Sequence, residues 1–406
     1  MSAEQLYWSM GLIGYDVEDV WQGANESLYV LVSVPRDALC CRSCGSSRVH
    51  LNDSRERFWK GAPLGVTPVI VAMWVPRVKC LQCGSKTWHQ PLFANGQRQV
   101  TKKFEQYVEH WLPELTISAA VSMFGVSWNT ICEIDIRRLR KLPQPELKSL
   151  KRLAIDENYL GKHHKYITVI IDLDTRAIVF VARGRGQTAV KGFFSRLRGC
   201  GAKIRAVASD MAGGYIAAVT KGLPNAKLVF DRFHMVKLMN EKLTILRRDL
   251  YRELTDGLQR DALKGIRWLL LKNPENLIKN DTIDERKTLE DALKVNESLF
   301  KAYYLKDELR LFWDQASKEQ AAAFLKGWCR RAHATGIRVL QTISKTFLEH
   351  KTRLLNWYDE PISTGPLEGI NNKIGALQRR AYGYRNYEHL VLRLLTLHHT
   401  KFILKG

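Results

Sequence analysis

The pattern of hydrophobic and polar positions changes three times along the chain. Up to about residue 95, short β-rich runs alternate with turn residues, and strands are predicted over 28–34 and 66–75. Between residues 100 and 142, apolar residues recur at helical spacing. The prolines at 143 and 145 interrupt that spacing. We therefore predict a domain boundary there.

From residue 153 the pattern predicts a mixed α/β domain. Strands are expected over 153–156, 166–172 and 177–182, then a helix over 189–197, a strand over 204–209, a helix over 215–221 and a strand over 228–230. This order is typical of a ribonuclease H-like sheet. Residues 235–360 show helical spacing with no convincing strand, and a final helix is predicted from Pro366 to Arg380.

The charge of the chain indicates a polyanionic partner. It carries 63 Lys plus Arg against 41 Asp plus Glu, a net charge of +22. A surplus of this size usually serves nucleic-acid binding, although a basic protein can simply be soluble. The N-terminus shows no secretory leader, and the longest uncharged stretch, 61–76, is too short for a bilayer span. We expect a protein of the reducing cytosol with no membrane association.

Four of the eight cysteines form two close pairs, Cys41 with Cys44 and Cys80 with Cys83, and each pair is followed by glycine. Four thiolates at about 2.3 Å complete a closed tetrahedral zinc site. Such a site has no open position for water, so we predict a structural role. Four unrelated buried thiols are the alternative, and Cys40 could replace Cys41 as a ligand.

Residues 115–139 predict a helix, a turn at Gly125 and a second helix capped by its first serine, which is a helix-turn-helix arrangement. The residues predicted to face a DNA groove or its phosphates are Ser127, Trp128, Asn129, Thr130 and Arg137. The alternative is an ordinary helical hairpin with no DNA role.

A basic stretch follows in the α/β domain. Residues 183–205 carry seven positive charges, Arg183 and Arg185 among them, and no acid. Such a stretch suits a phosphate track. A solvated surface is the alternative.

Carboxylates carry the strongest functional signal. Asp156 and Asp210 each end an apolar strand, where packing explains an acid poorly. Oxygen ligands on adjacent strands are what Mg²⁺ or Mn²⁺ requires. Glu368 is the candidate third ligand, in the first turn of the final helix after a glycine-rich entry. Each acid also has a simpler explanation, as a turn residue or a residue favoured at a helix N-terminus. Asp172 and Asp174 are assigned to a hairpin turn.

The chain resembles the DDE transposases of bacterial insertion sequences, in particular the ISL-three family, over essentially its whole length. The motifs that carry the resemblance are Ser-Thr-Gly-Pro-Leu-Glu-Gly-Ile-Asn-Asn-Lys at 363–373, Arg-Arg-Ala-Tyr-Gly-Tyr-Arg-Asn at 379–386, Ala-Ile-Asp-Glu at 154–157, Ser-Asp-Met at 209–211 and Asp-Arg-Phe-His at 231–234. The cysteine pairs and the two helices fall where that family carries its zinc finger and DNA-binding helices.

The resemblance implies a function and a set of site residues. Asp156, Asp210 and Glu368 would hold Mg²⁺ or Mn²⁺, and His234 would orient or protonate a phosphate oxygen. The enzyme would bind the terminal inverted repeats, hydrolyse a strand and join its 3′-hydroxyl to target DNA. Arg379, Arg380 and Arg385 are expected to contact DNA. The partners would be double-stranded DNA and at least one further copy of the chain, in the cytoplasm of a bacterium at the nucleoid.

Two alternatives stay open at this stage. One is a regulator derived from a transposase that binds DNA without catalysis. The other is a ribonuclease H-like nuclease that cuts DNA without joining it. The predicted segments are a zinc-binding domain (1–95), a helix-turn-helix domain (96–145), the first part of an α/β ribonuclease H-like core (146–234), an all-helical insertion (235–360) and the rest of the core with the glutamate (361–406).

Overall fold

The computed structural model describes residues 3–96, 98–161, 166–211, 213–280, 284–294 and 296–399. These residues form two compact units. Unit 1 contains the chain up to Leu142 and the segment Arg380–Arg385, and unit 2 contains Pro143–Arg379 and Asn386–His399. The chain first passes from unit 1 to unit 2 at Leu142, directly before the proline pair. The five-segment division remains a prediction, and its last residues, 400–406, lie outside the described residues.

Unit 1 contains one five-stranded sheet with the order β1-β2-β4-β3, and β5 pairs with β4. Its strands are β1 (Asp16–Gln22), β2 (Leu28–Ser33), β3 (Val49–Leu64), β4 (Thr67–Cys80) and β5 (Lys86–Trp88). The strands predicted over 28–34 and 66–75 are confirmed as β2 and β4, with β4 extending to Cys80. The sequence pattern did not indicate β3, because most of its first half is polar and exposed and is ordered by its pairing with β4.

Four helices complete unit 1. They are α1 (Ala3–Met10), α2 (Lys102–Trp111), α3 (Ile117–Phe124) and α4 (Trp128–Lys141). The two helices expected around Gly125 are present, and Ser127 caps α4 as predicted, its hydroxyl accepting from the Thr130 amide at 3.1 Å. Ile131 and Ile134 of α4 are fully buried in a core shared with α2 and α3. The ammonium group of Lys60 donates to the carbonyl of Phe124 at 2.6 Å, which ties the end of α3 to β3.

Unit 2 is built on a mixed sheet with the order β10-β9-β6-β7-β8. Its strands are β6 (Arg152–Tyr159), β7 (Tyr166–Asp172), β8 (Ile178–Arg183), β9 (Ala206–Ser209) and β10 (Lys227–Phe230), with helices α5 (Gln187–Gly199) and α6 (Gly213–Gly222) between them. The first three strands are antiparallel, and β9 and β10 run parallel to β6. Every strand and helix predicted for this region is confirmed, with bounds that differ from the prediction by at most three residues.

The rest of unit 2 is helical. Its helices are α7 (Arg232–Glu253), α8 (Gly257–Gly265), α9 (Glu285–Lys294), α10 (Glu297–Glu308), α11 (Lys318–Ala334), α12 (Arg338–Glu349), α13 (Lys351–Leu355), α14 (Gly365–Arg380) and α15 (Tyr387–Leu395). Within the described part of 235–360, the only β pairing is an isolated bridge between Lys279 and Asp284. None of the helices in the described ranges is long and apolar enough to cross a bilayer.

The segment before α14 is anchored to the edge of the sheet. The Asn356 side chain donates to the carbonyl of Leu228 in β10 at 2.9 Å. The guanidinium of Arg205 donates twice to one oxygen of the buried Glu360, at 2.7 and 3.0 Å. Since a charge-assisted bond to a buried carboxylate is among the stronger polar contacts, α14 leaves from a fixed point. Arg205, which belongs to the basic stretch over 183–205, is therefore paired with an acid of unit 2.

Candidate active site and cysteine cluster

Asp156 and Asp210 lie side by side at neighbouring strands of the unit 2 sheet. The parallel pairing of β6 with β9 runs as far as Ala154 opposite Ala208, and Asp156 and Asp210 each lie two residues further along, close enough for the charge of Asp210 to act on Asp156. Paired residues on parallel strands point to the same face of a sheet, and neighbouring strands are about 4.8 Å apart. The two acids therefore lie near each other on the same face of the sheet.

The electrostatics of Asp156 reflect this crowding. Burial raises the pKa of Asp156 and the charge of Asp210 adds to that rise, while the hydrogen bond from the Glu157 amide, the nearby His234 and a bond from Asn371 act in the opposite direction. An acid that is desolvated beside a second acid gains most from a cation, because the cation relieves both penalties. Carboxylate oxygens are hard donors, so this pair fits Mg²⁺ or Mn²⁺.

Helix α14 is joined to the same edge of the sheet. The side-chain amide of Asn371 donates to Oδ2 of Asp156 at 2.8 Å. Glu368 lies three residues earlier on α14, so the two side chains share one helix face, and Glu368 is exposed. The structure thus places Glu368 one turn of helix from a residue that touches Asp156.

The three carboxylates do not form a tight cluster around a single point. Among the described residues, the only group of three or more His, Cys, Asp or Glu ligand atoms within 4.8 Å of one another is formed by cysteines.

Asp231 connects the start of α7 to the start of α14. Its carboxylate is buried and caps α7 through the Phe233 amide at 3.2 Å. The other oxygen accepts from the Thr364 amide at 2.8 Å and from the Thr364 hydroxyl. Thr364 directly precedes α14, so Asp231 fixes the point from which the Glu368 helix begins. His234 lies one turn into α7 and acts electrostatically on Asp156, as already described.

We predict that Asp231→Asn slows DNA cleavage at least about tenfold, because an amide NH₂ group would replace the oxygen that accepts from Thr364, and a hydrogen bond to a charged group contributes about 1.5–3 kcal/mol. The change should also raise the Mg²⁺ concentration required for half-maximal cleavage, since the effect acts through the placement of Glu368.

Thr364 supplies the matched pair of controls for this prediction. Thr364→Val keeps the shape and removes the hydroxyl donor, whereas Thr364→Ser keeps the donor. The valine variant should behave like Asp231→Asn and the serine variant like the unchanged protein. An unaltered Mg²⁺ requirement in both Asp231→Asn and Thr364→Val would show that this contact does not position Glu368 for metal binding.

A second buried contact orders the segment after β8. The hydroxyls of Tyr215 and Thr168 are hydrogen-bonded at 2.9 Å, and the Thr168 hydroxyl also bonds to the carbonyl of Gly184 at 3.0 Å. Burial raises the pKa of Tyr215, so the phenol stays protonated. The sequence reasoning missed these residues, because an isolated tyrosine and threonine carry no motif. Their effect is to fix the backbone between Arg183 and Arg185.

The cysteine pairs come together in unit 1. The sulfur atoms of Cys41, Cys44, Cys80 and Cys83 all lie within 4.8 Å of one another, and the Cys41–Cys83 and Cys44–Cys80 separations are both 3.6 Å. Tetrahedral Zn–S bonds of about 2.3 Å require sulfur separations of about 3.8 Å, so the four thiols fit zinc. Hydrogen bonds with the Ser85 hydroxyl lower the pKa of Cys41 and of Cys83, whereas hydrogen bonds with the other thiols raise the pKa of Cys44.

The two halves of the cluster have the same backbone design. The amides of Gly45 and Gly84 donate to the carbonyls of Cys41 and Cys80 at 2.8 and 3.1 Å, and both glycines have φ of +74°. A left-handed conformation of this kind favours glycine. Cys40 is exposed and outside the cluster. Both turns have the sequence Cys-x-x-Cys-Gly-Ser, a repeat that would have identified Cys41 from the sequence.

The residues predicted to face DNA in α4 fall into two groups. Trp128 and Asn129 are exposed, and the hydroxyls of Ser127 and Thr130 are hydrogen-bonded to each other at 2.9 Å in the helix cap. Arg137 differs from the expectation, because its guanidinium is paired with the buried Glu105 at 2.8 and 3.0 Å. Arg137 is therefore engaged inside unit 1, and its removal would also weaken the packing of α4 on α2.

The other predicted arginines are distributed over both units. In unit 2 the Arg183 guanidinium stacks 4.0 Å from the Tyr387 ring centroid and that of Arg185 lies 5.3 Å from Tyr166. Arg379 is exposed. In unit 1 Arg380 donates to the carbonyl of Glu114 at 2.6 Å, and Arg385 is exposed.

Comparison with known proteins identifies the family. A family model described as "Transposase" matches residues 153–394. The chain is 30% identical over 390 residues to the transposase of insertion sequence element IS1001 from Bordetella parapertussis, covering 95% of both chains. It is 27% identical over 412 residues to the transposase of IS1557 from Mycobacterium tuberculosis, covering 94% of this chain and 91% of that one. The chain belongs to the ISL-three family of insertion-sequence DDE transposases.

A transposase complex is among the solved structures that match the chain. The Drosophila P element transposase strand transfer complex covers 74% of this chain and 93% of the other at 12% identity. The TM-score of this match is 0.35.

Proposed function

We propose that the protein is a DNA transposase in which Asp156, Asp210 and Glu368 hold divalent metal ions at the DNA strand to be cut and joined. The observation that carries this proposal is the parallel pairing of β6 with β9, which ends two residues before Asp156 and Asp210, together with the action of the Asp210 charge on Asp156. It is supported by the bond from Asn371 to Asp156, which brings the Glu368 helix to the same edge.

The proposed chemistry has two steps at this edge. Bound there, Mg²⁺ or Mn²⁺ would supply Lewis-acid activation and neutralise charge on the scissile phosphate. Asp156 and Asp210 would hold the ions from the sheet, and Glu368 would hold them from the helix. Water first breaks the P–O bond at the transposon end and leaves a 3′-hydroxyl. That hydroxyl then attacks a target phosphodiester, so one P–O bond forms as another breaks and no external energy source is required.

His234 is assigned a supporting role in this mechanism. It acts on Asp156 electrostatically and lies on the helix that Asp231 caps. In the proposal its imidazole orients or protonates a non-bridging phosphate oxygen. An imidazole suits this role because it can donate a hydrogen bond in either protonation state.

The proposal includes the fold class of the core. Three antiparallel strands followed by two parallel ones, with α5 and α6 in the connections, fit a ribonuclease H-like sheet. The helices from α7 to α13 are then an insertion between the second aspartate and the glutamate. They return the chain to the sheet directly before α14, where Asn356 bonds to Leu228 and Glu360 pairs with Arg205.

Unit 1 is assigned to recognition of the transposon ends, with α4 as a DNA-contacting helix. We predict that Asn129→Ala in the full-length protein weakens binding to terminal-repeat DNA about tenfold more than binding to random DNA, because a side-chain amide that reads a base edge contributes about 1–3 kcal/mol of discrimination. Binding would be measured without Mg²⁺ to prevent cleavage. Gln259, which is exposed on α8 of unit 2, gives a matched control, and Gln259→Ala should leave this selectivity unchanged.

The outcome that contradicts this assignment is equal loss on terminal-repeat and random DNA. That result would mean that Asn129 contacts only phosphate, because the loss of a phosphate contact weakens binding to all sequences alike.

The proposed partners are the terminal inverted repeats, target DNA and at least one further copy of the chain, because two ends must be held together. In a bacterial cell this activity would take place at the nucleoid.

The experiment that tests the proposed function is strand mapping. Full-length protein incubated with terminal-repeat duplex and Mg²⁺ should produce a nick at the element boundary with a free 3′-hydroxyl, and EDTA should prevent it. Tight end binding with no cleavage under any divalent metal would instead favour a regulator that lacks catalysis.

A further inference from the structure

An open groove lies beside the proposed active site in unit 2. It has a volume of about 410 Å³, within the range of about 300–1,000 Å³ that is usual for sites that hold small molecules. One wall is formed by the part of β6 that follows Asp156, and the other by the part of α14 that follows Glu368. The lining residues are Glu157, Asn158, Tyr159, Asn371, Asn372, Gly375, Gln378 and Arg379.

The groove lies directly beside Asp156. Asn371 belongs to its lining and also donates to Asp156 at 2.8 Å, and Glu157 directly follows Asp156. A nucleotide that flanks a phosphate at Asp156 would therefore reach the groove without a change in the backbone described here. This placement depends on the proposed function, since it assumes that the scissile phosphate lies at Asp156.

The chemistry of the lining fits a nucleobase better than a phosphate. Four of its side chains are amides, and its single acid, Glu157, offsets its single cation, Arg379. A phosphate channel would carry a surplus of positive charge. Amides instead present a donor and an acceptor side by side, which matches the edge of a base. Tyr159 is 51% exposed at the rim and offers an aromatic ring for stacking.

We infer that this groove binds the base of the nucleotide next to the cleaved phosphate and reads its identity through Asn372 and Gln378. Asn371 is excluded from the reading role because its amide is bonded to Asp156. The groove then checks the sequence at the cleavage step, after unit 1 has bound the repeat. A correct base holds the strand across Asp156, and an incorrect base leaves the groove amides without partners.

Four duplexes that differ only in the base pair next to the cleaved phosphate would test this inference. Single-turnover cleavage by full-length protein with Mg²⁺ and equilibrium binding without metal are measured on each duplex. The unchanged protein should cleave one duplex about tenfold faster than the others, the discrimination expected of one bidentate amide–base pair. Asn372→Ala and Gln378→Ala should remove that preference, with binding changed less than about threefold.

Lys373→Ala is the matched control, because Lys373 is exposed on the same helix but does not line the groove. Any effect of this variant should be equal on all four duplexes. A preference that survives in both amide variants, or an unchanged protein that cleaves all four duplexes at the same rate, overturns the groove inference and leaves the proposed function intact. No cleavage of any duplex overturns both.

Discussion

Replacement of Asp156, Asp210 or Glu368 by the matching amide should reduce DNA cleavage and strand transfer roughly a thousandfold or more. The amide keeps the shape of the side chain and removes the charge that binds a divalent cation. Asp156→Asn and Asp210→Asn should also relieve the repulsion between the two aspartates, so the variants should be at least as resistant to thermal unfolding as the unchanged protein. Binding to terminal-repeat DNA without metal should be unaffected, since the three substituted residues lie outside unit 1.

Asp174→Asn is the matched control for the amide series. Asp174 is an acid of the same unit, but it lies in the β7–β8 hairpin turn and pairs with Arg152. Its replacement should leave cleavage within a fewfold of normal, which separates a specific triad from a general need for negative charge. Near-normal strand transfer by folded, DNA-bound Glu368→Gln would contradict the assignment of the helix ligand.

The second large effect is expected at the cysteine cluster. Combined Cys80→Ser and Cys83→Ser replacement should remove one zinc per chain and unfold the region around the cluster, because structural zinc sites in small domains contribute about 10–16 kcal/mol of apparent binding free energy. Binding to terminal-repeat DNA should be lost together with the zinc. Metal analysis by mass spectrometry and limited proteolysis of unit 1 would measure both consequences.

Cys40→Ser is the control for the cysteine variants. Cys40 is next to a ligand in the sequence, but it is exposed and outside the cluster. The variant should keep its zinc and its protease resistance. Full zinc content in the double variant, or zinc loss caused by Cys40→Ser, would show that the ligand set is not Cys41, Cys44, Cys80 and Cys83.

The parts of the fold that the sequence predicted are those with strong local patterns. The strands of unit 2 are short runs of buried aliphatic residues with turn residues at their ends, so their positions are readable. Strand β3 is different, because seven exposed positions in its first half hide any alternation. Its strand conformation depends on thirteen positions that pair with β4, and a local sequence pattern does not reveal such pairing.

The candidate site was predictable to a similar extent. Asp156 and Asp210 could be proposed because each follows an apolar run, although β6 continues past Asp156 to Tyr159, and Glu368 because of its glycine-rich entry. The contacts that connect them could not, since Asn371 bonds to a residue 215 positions away and Thr364 to one 133 positions away. The ion pair of Arg137 with Glu105 was likewise not readable from the sequence, because the two residues lie on different helices.

The central claim is that one site both cuts and joins DNA, and a strand-transfer assay tests it most directly. Full-length protein is incubated with paired terminal-repeat duplexes, a supercoiled target plasmid and Mg²⁺, and the products are mapped by sequencing across the junctions. The account predicts terminal 3′ ends covalently joined to the plasmid, absent with EDTA and absent in Asp210→Asn. Cleaved ends that are never joined to the plasmid would contradict it and would identify the protein as a nuclease.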